Sequence, residues 1–217
     1  MPHWRDSQDP SPCERVLAPD FALLADRKGG AHFLLIATRT LSGIEDPDLL
    51  RADAPNYFAA AWAARDRLAA IIGHEPRRDA VGLAINSALA RGQDQLHIHI
   101  ECVQPGLHRA LQAAAGGLSD HWSRLPSAEF PYYALRIRGP SLDNANPFEL
   151  LVNGLPGARQ SLAAYTIVVA GAQFDDGPGF IVLAGRTPTR PGLLGPRPAG
   201  LVAPGETLLD STCAVDP

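Results

Sequence analysis

The chain has 217 residues, 46% hydrophobic and 19% charged, which excludes wholesale disorder and allows one large domain or two small halves around a shared core. A formal net charge of −4 and a pI of about 5.9 argue against a general nucleic-acid binder, which carries a basic face. No stretch approaches the ~18–20 apolar residues of a membrane helix, and the opening Met1-Pro2-His3-Trp4-Arg5-Asp6 is no signal peptide, so the chain as written is expected to be soluble.

Residues 1–18 are polar and proline-punctuated and read as an N-terminal arm. Strands are expected at 21–26 and 32–37, joined by the turn Arg27-Lys28-Gly29-Gly30 into a hairpin. A turn-rich loop, 38–53, leads to a helix over 56–72, capped by Asn56, striped by Phe58, Trp62, Leu68, Ile71 and Ile72, and stopped by Gly73. Strands at 80–86 and 95–103 follow, then a helix near 106–116. The second part carries a strand at 132–138, short helices at 146–152 and 157–163, and strands at 164–170 and 179–185 around the turn Asp175–Gly179. From Thr187 the chain is rich in proline and glycine and is expected to wrap the surface. The fold class is therefore α+β with a mostly antiparallel sheet. Its two rough β-α-β halves, about 19–116 and 117–186, suggest a pseudo-repeat within a domain spanning 19–186, with 187–217 as a tail.

Chemistry concentrates in one strand. Alternate side chains of a strand share a face, so Gln95, His97, His99 and Glu101 line one side, and Leu96, Ile98, Ile100 and Cys102 the other. The second set is a core face. The first places four polar groups in a row, too many to bury without a function or extensive hydrogen bonding. Two histidines at this spacing suit metal ligation, nucleophilic or acid–base catalysis, or a plain surface strand, and the strand alone leaves all three open. Lys28 is the single lysine, so arginine carries nearly all positive charge. That composition fits bidentate phosphate recognition as well as it fits a GC-rich genome. His32, His74, His108 and His121 lack a partner pattern and are expected at the surface, Arg65 and Trp62 are expected to be structural, and Gly43 and Glu45 to shape their loop.

The flanks narrow the choice. Asn86-Ser87 ends the preceding strand, and Gly92-Gln93 enters the histidine strand. This arrangement resembles the histidine-triad superfamily of nucleotide hydrolases and transferases, with a His-φ-His-φ-His strand after a hairpin and a long helix. Asn86 stands eleven residues before His97 and thirteen before His99, which suits His97 in the first triad position, His99 as nucleophile and Glu101 third. In a second register Gln95 comes first, His97 is the nucleophile and His99 third. The first register is preferred, although Glu101 departs from the pattern.

A closer resemblance, to the CDP-diacylglycerol pyrophosphatase family, rests on blocks in family order: Asp9–Cys13, Leu34–Thr38 with Ser42–Glu45, Ala61–Asp66, Leu83–Ser87 and Gln93–Cys102, continued by Trp122, Tyr133 and Arg136. It implies a HIT-like fold and hydrolysis of a CDP-linked lipid to CMP and phosphatidate through a nucleotidyl-histidine. His99 and His97 would be catalytic, and Asn86, Ser87, Gln93, Gln95 and Glu101 would face phosphate or nucleotide. The scheme needs no metal and no cofactor. The alternatives are a histidine-triad enzyme acting on another nucleotide-linked small molecule, and a nucleotide-binding protein without turnover. The family is anchored in the inner membrane and faces the periplasm; this chain shows no anchor, so its membrane contact would be peripheral. The resemblance also suggests a Cys13–Cys102 disulfide in an oxidising compartment, with Cys213 free or paired upstream of residue 1.

Overall fold

Period-two alternation builds the sheet hairpin by hairpin. A computed structural model describes Cys13, 15–17 (backbone only), 20–26, 29–187 and 204–216. The expected first hairpin is present: β2 (Phe21–Ala25) pairs antiparallel with β3 (Phe33–Ala37), Ala25 opposite Phe33. β1 (Arg15–Leu17) pairs outside β2, so the end of the expected arm is a sheet edge. The residues before Cys13 lie outside those described.

The helix expected over 56–72 is divided. α1 (Tyr57–Ala63) is capped by Asn56, whose Oδ1 accepts from the Ala59 N–H at 3.1 Å, but a 3-10 stretch (Ala64–Leu68) and a short α2 (Ala69–Ile72) continue it. The Ala64 N–H is shared among the carbonyls of Ala60, Ala61 and Trp62, and the Trp62 carbonyl also accepts from Arg65 Nη1 at 2.7 Å. Such sharing tightens a helical turn. Gly73 then ends the run with φ +86°, as expected of a left-handed cap.

β4 (Val81–Ile85) and β5 (His97–Val103) are antiparallel, and β5 lies between β3 and β4. α3 (Pro105–Ala114) follows, its first turn closed by Gln104 Oε1 accepting from the Leu107 N–H at 2.8 Å. The second part contains β6 (Ser123–Arg124), β7 (Tyr133–Arg138) and α4 (Pro147–Gly154), then β8 (Tyr165–Phe174) and β9 (Gly177–Arg186). The helix expected over 157–163 is reduced to a 3-10 turn (Leu162–Ala164), and its first residue, Gly157, has φ +75°, outside the right-handed helical region.

The strands form one ten-stranded antiparallel sheet, ordered β1-β2-β3-β5-β4-β8-β9-β7-β6. On either side of the β4–β8 join the orders β3-β5-β4 and β8-β9-β7 mirror one another. One face packs Phe33, Leu35, Leu83, Ile98, Ile100 and Val169 against Tyr57, Phe58, Trp62 and Phe148. Arg78 pins that side: its guanidinium lies 4.8 Å from the Trp62 ring and 4.3 Å from the Phe180 ring, and donates to the carbonyls of Gly139, Pro140, Ala172 and Gly179. Burial, with Arg65 nearby, pushes its pKa down to about 10. The opposite face packs Val168, Ala170, Ile181 and Leu183 against Leu107 and Leu111 of α3.

The C-terminal segment is not a surface wrap where it is described. A 3-10 turn (Gly205–Leu208) and β10 (Leu209–Asp210) return to the sheet, with Leu209 opposite Val103 at the end of β5. Leu208 and Leu209 are buried in the second core. A Cβ on Gly205 would stand 2.6 Å from Thr166 Oγ1, so only glycine fits there. Residues 188–203 lie outside those described.

The disulfide joins Cys102 to Cys213, not to Cys13, and Cys213 therefore needs no partner upstream of residue 1. Cys102 does lie on the core face, as its alternation requires. What brings Cys213 to it is a turn in which Asp210 accepts from the Thr212 N–H, the Thr212 hydroxyl and the Ala214 N–H, with Cys213 at φ +54°. Cys13 is a buried free thiol. Closing a span of 111 residues restricts the unfolded chain, so Cys213→Ser is expected to cost about 2–5 kcal/mol in urea unfolding and Cys13→Ala far less. A non-reducing peptide map linking Cys13 to either other cysteine would contradict this pairing.

Candidate active site

The site is assembled by register. β3 pairs with β5 so that Ile36 is opposite His97 and Leu34 opposite His99. Carried one step further, the same register sets His32 beside Glu101, and the β2–β3 hairpin sets Asp26 beside His32. The Asp26 N–H donates to the His32 carbonyl at 3.0 Å, which fixes that last pair. Asp26, His32, Glu101 and Gly82 thus form one row across the sheet, next to the row of His99 and Ala84. Contrary to expectation His32 is buried, and it is the residue around which the site is organised. His108, half-buried against Asp79 at 3.1 Å, was also not at the open surface, whereas His74 and His121 are exposed.

The two strand histidines differ in their hydrogen bonding. His97 Nδ1 lies 2.7 Å from the carbonyl oxygen of Gln95. A carbonyl can only accept, so Nδ1 carries the proton and Nε2 presents a lone pair. His97 is only partly buried. His99 is buried, with Nδ1 3.0 Å from His32 Nε2 and Nε2 3.5 Å from Glu206 Oε2.

Two carboxylates flank His32. Asp26 Oδ2 is 2.9 Å from its Nδ1 and Glu101 Oε1 is 3.2 Å from its Nε2. With both acids ionised, each ring nitrogen donates, and His32 is an imidazolium held between them. In that state the His32 Nε2 proton also faces His99 Nδ1, which accepts, and the proton of His99 is on Nε2. His97 would then offer a lone pair and His99 a proton, with ring centroids 5.2 Å apart. The three atoms His32 Nε2, His99 Nδ1 and Glu101 Oε1 lie close enough together to hold a metal ion.

The other expected site residues separate into near and far. Asn86 is buried, and its Oδ1 accepts from the Glu206 N–H at 3.2 Å, leaving the donor function to Nδ2. Ser87 is fully buried, and among the described residues its hydroxyl has no hydrogen-bond partner. Gln95 does not face the histidines with its side chain: Nε2 donates to the carbonyls of Ala37 and Arg39, both at 2.7 Å, and closes the end of β3. Gln93 is exposed in the loop before β5. That loop is braced by Arg91, which forks onto Glu45 at 2.6 and 2.8 Å and reaches Asp94 at 2.8 Å. Gly43 leaves the space the Arg91 guanidinium fills.

Sequence reasoning missed Asp26, His32 and Glu206. For the first two a signal existed, since alternation from Phe33 backwards and hairpin pairing put both on the histidine face. Glu206 had none. It arrives from a proline- and glycine-rich segment 107 positions after His99 (206 − 99), through the return of the chain to β5.

The sequence profile of the CDP-diacylglycerol pyrophosphatase family matches residues 1–217. A CDP-diacylglycerol pyrophosphatase from Yersinia pestis is 38% identical over 224 aligned positions, which span 100% of this chain and 81% of that protein.

Burial alone would raise the Glu45 carboxyl, but hydrogen bonds from Arg91, a backbone N–H and Ser42, with the Arg91 charge, together outweigh it and hold the group below the ordinary carboxylate range. A depressed carboxylate contributes stability that is fully present above its unfolded pKa of about 4.3 and is lost as pH falls through the lower folded value. Arg91→Ala is therefore expected to cost about 1.5–3 kcal/mol in urea unfolding at pH 7. The difference from the parent should shrink at pH 3; an unchanged difference there would exclude the ionic origin.

Proposed function

The chain belongs to the CDP-diacylglycerol pyrophosphatase family, and we propose that it cleaves CDP-diacylglycerol to CMP and phosphatidate with His97 as its nucleophile. The observation that carries this assignment is the His97 Nδ1 bond to the Gln95 carbonyl, which commits the Nε2 lone pair to the open side. It favours the register Gln95-His97-His99 over the one that spacing from Asn86 preferred, in which His99 attacks. His99 suits the other role, because its Nε2 carries a proton.

In the first step His97 Nε2 attacks the phosphorus next to cytidine, and the P–O bond to the phosphatidyl group breaks. The positive charge on the modified imidazole is held by the Nδ1–H bond to Gln95. His99 gives its Nε2 proton to the departing phosphate oxygen. At the same time the proton between His32 and His99 shifts from His32 Nε2 to His99 Nδ1, so the charge lost is that of His32 and both rings end neutral. Phosphatidate leaves. In the second step His99 Nε2, now a lone pair, takes a proton from water as its oxygen attacks the phosphorus. The N–P bond breaks, CMP departs, and the proton on His99 Nδ1 returns to His32. Donors for the non-bridging oxygens are the Asn86 amide and the Ser87 hydroxyl. Asp26 and Glu101 set the charge and orientation of His32 and do not touch substrate, so the Glu101 carboxylate is turned away from phosphate.

The twofold strand order about the β4–β8 join supports a HIT-like duplication whose second half is catalytically degenerate: Leu183 and Val168 continue the sheet row of His99 and Ala84. The Cys102–Cys213 bond fits an oxidising compartment such as the periplasm. No helix among the described residues is long and apolar enough to cross a membrane.

The test is mass spectrometry of protein quenched during turnover of CDP-diacylglycerol. A cytidylyl adduct on the His97 peptide is expected in the parent, and is expected to accumulate in His99→Asn, with turnover slowed about 10²–10⁴-fold. His97→Ala should show no adduct and lose at least roughly 10³-fold in rate. An adduct that survives His97→Ala would sink the assignment.

A further inference from the structure

The buried cluster behind the nucleophile carries a charge imbalance. Asp26 and Glu101 both point at His32, and Glu101 Oε1 also lies 4.0 Å from His99 Nδ1. His32 Nε2 and His99 Nδ1 are 3.0 Å apart, so a single proton fits between them. Two facing N–H groups would collide. The inward side of the cluster therefore holds two carboxylates and at most one imidazolium. A dication with both imidazoles neutral would balance it.

The donor atoms are arranged for that exchange. We propose that His32 Nε2, His99 Nδ1 and Glu101 Oε1 form a binding site for a divalent ion of the zinc class. Their separations are 3.0, 3.2 and 4.0 Å. Ligands about 2.0–2.1 Å from a tetrahedral ion stand about 3.3–3.4 Å from one another, and the observed separations bracket that figure. Two imidazoles and a carboxylate are the donors zinc, cobalt and nickel take, while magnesium and calcium prefer oxygen alone. The surroundings fit as well. A metal-bound histidine commonly gives its other N–H to a carboxylate; here Asp26 Oδ2 is 2.9 Å from His32 Nδ1, and Glu206 Oε2 is 3.5 Å from His99 Nε2. The ion replaces the proton on His32 Nε2, and that proton leaves to solvent.

This site stands on the cluster alone. Its effect on turnover rests on the hydrolytic reading above: the ion removes the mobile proton that His99 needs, so the loaded form is inhibited.

The experiment uses the full chain, stripped with chelator and titrated with Co²⁺ and with Zn²⁺ without substrate. One Co²⁺ per chain should give visible tetrahedral d–d bands without a thiolate charge-transfer band, since Cys13 is no part of the site. Calorimetry with Zn²⁺ should show release of about one proton per ion. Glu101→Gln and His32→Gln, checked for native melting profiles, should each weaken binding at least about tenfold, and Asp26→Asn roughly 10–100-fold. His74→Ala and His121→Ala, at exposed positions, should bind as the parent does. Failure of the parent to give tetrahedral bands, or binding retained in Glu101→Gln and His32→Gln, would overturn the site. Zinc bound with turnover unchanged would overturn the proton shift proposed for hydrolysis and leave the ion site standing.

Discussion

Everything in this molecule depends on the antiparallel join between β4 and β8. Val81–Ile85 is buried on both faces, which a strand accepts only when it has a neighbour on each side and packing above and below. β5 supplies one neighbour and β8 the other. Without β8, β4 would be a long apolar edge, open to pairing with other chains. The second half therefore supports the histidine strand from a distance: it completes the sheet in which β4 and β5 are held in register. Arg78 reinforces the join from the helical side, where four backbone carbonyls of the second half converge on one guanidinium.

Register also explains the chemistry. Neighbouring residues on paired strands must share a face, so one choice of pairing between β3 and β5 decides that an imidazole stands beside a carboxylate and not beside a methyl group. The cluster of Asp26, His32, Glu101 and His99 is an expensive thing to bury, and leaving any one member unpaired would be more expensive still. Its members are linked through both ring nitrogens of His32.

Most of the fold was legible because it is made of period-two runs closed by glycine and proline turns. The hairpin of β2 and β3, the core and site faces of β5, and the Asn56 cap all follow from local pattern. The single long helix did not survive, because the side chain of Arg65 competes for a carbonyl that a regular helix would use and no propensity scale contains that contact. At the site, His97 and His99 were visible, while their different hydrogen bonding was not. A tautomer is decided by what the second nitrogen meets, and for His97 that is the backbone of Gln95, a contact that spacing from Asn86 does not contain. His32 was discounted for lacking a partner in sequence, although its partners lie across two strand pairings. The cysteine pairing failed for a related reason, since the family-like blocks at Cys13 and Cys102 suggested that pair and left the turn at Asp210 unread.

One side of the histidine cluster is supplied by residues 204–216. Glu206, its hydrogen bond to Asn86, and Cys213 all belong to this segment, which is synthesised more than a hundred residues after the strand it joins. The histidine strand can thus be formed and paired while the chain is still emerging, with His99 lacking its acidic neighbour. The Cys102–Cys213 bond then ties the returning segment to β5, so one covalent link fixes both the far end of the histidine strand and the approach of Glu206.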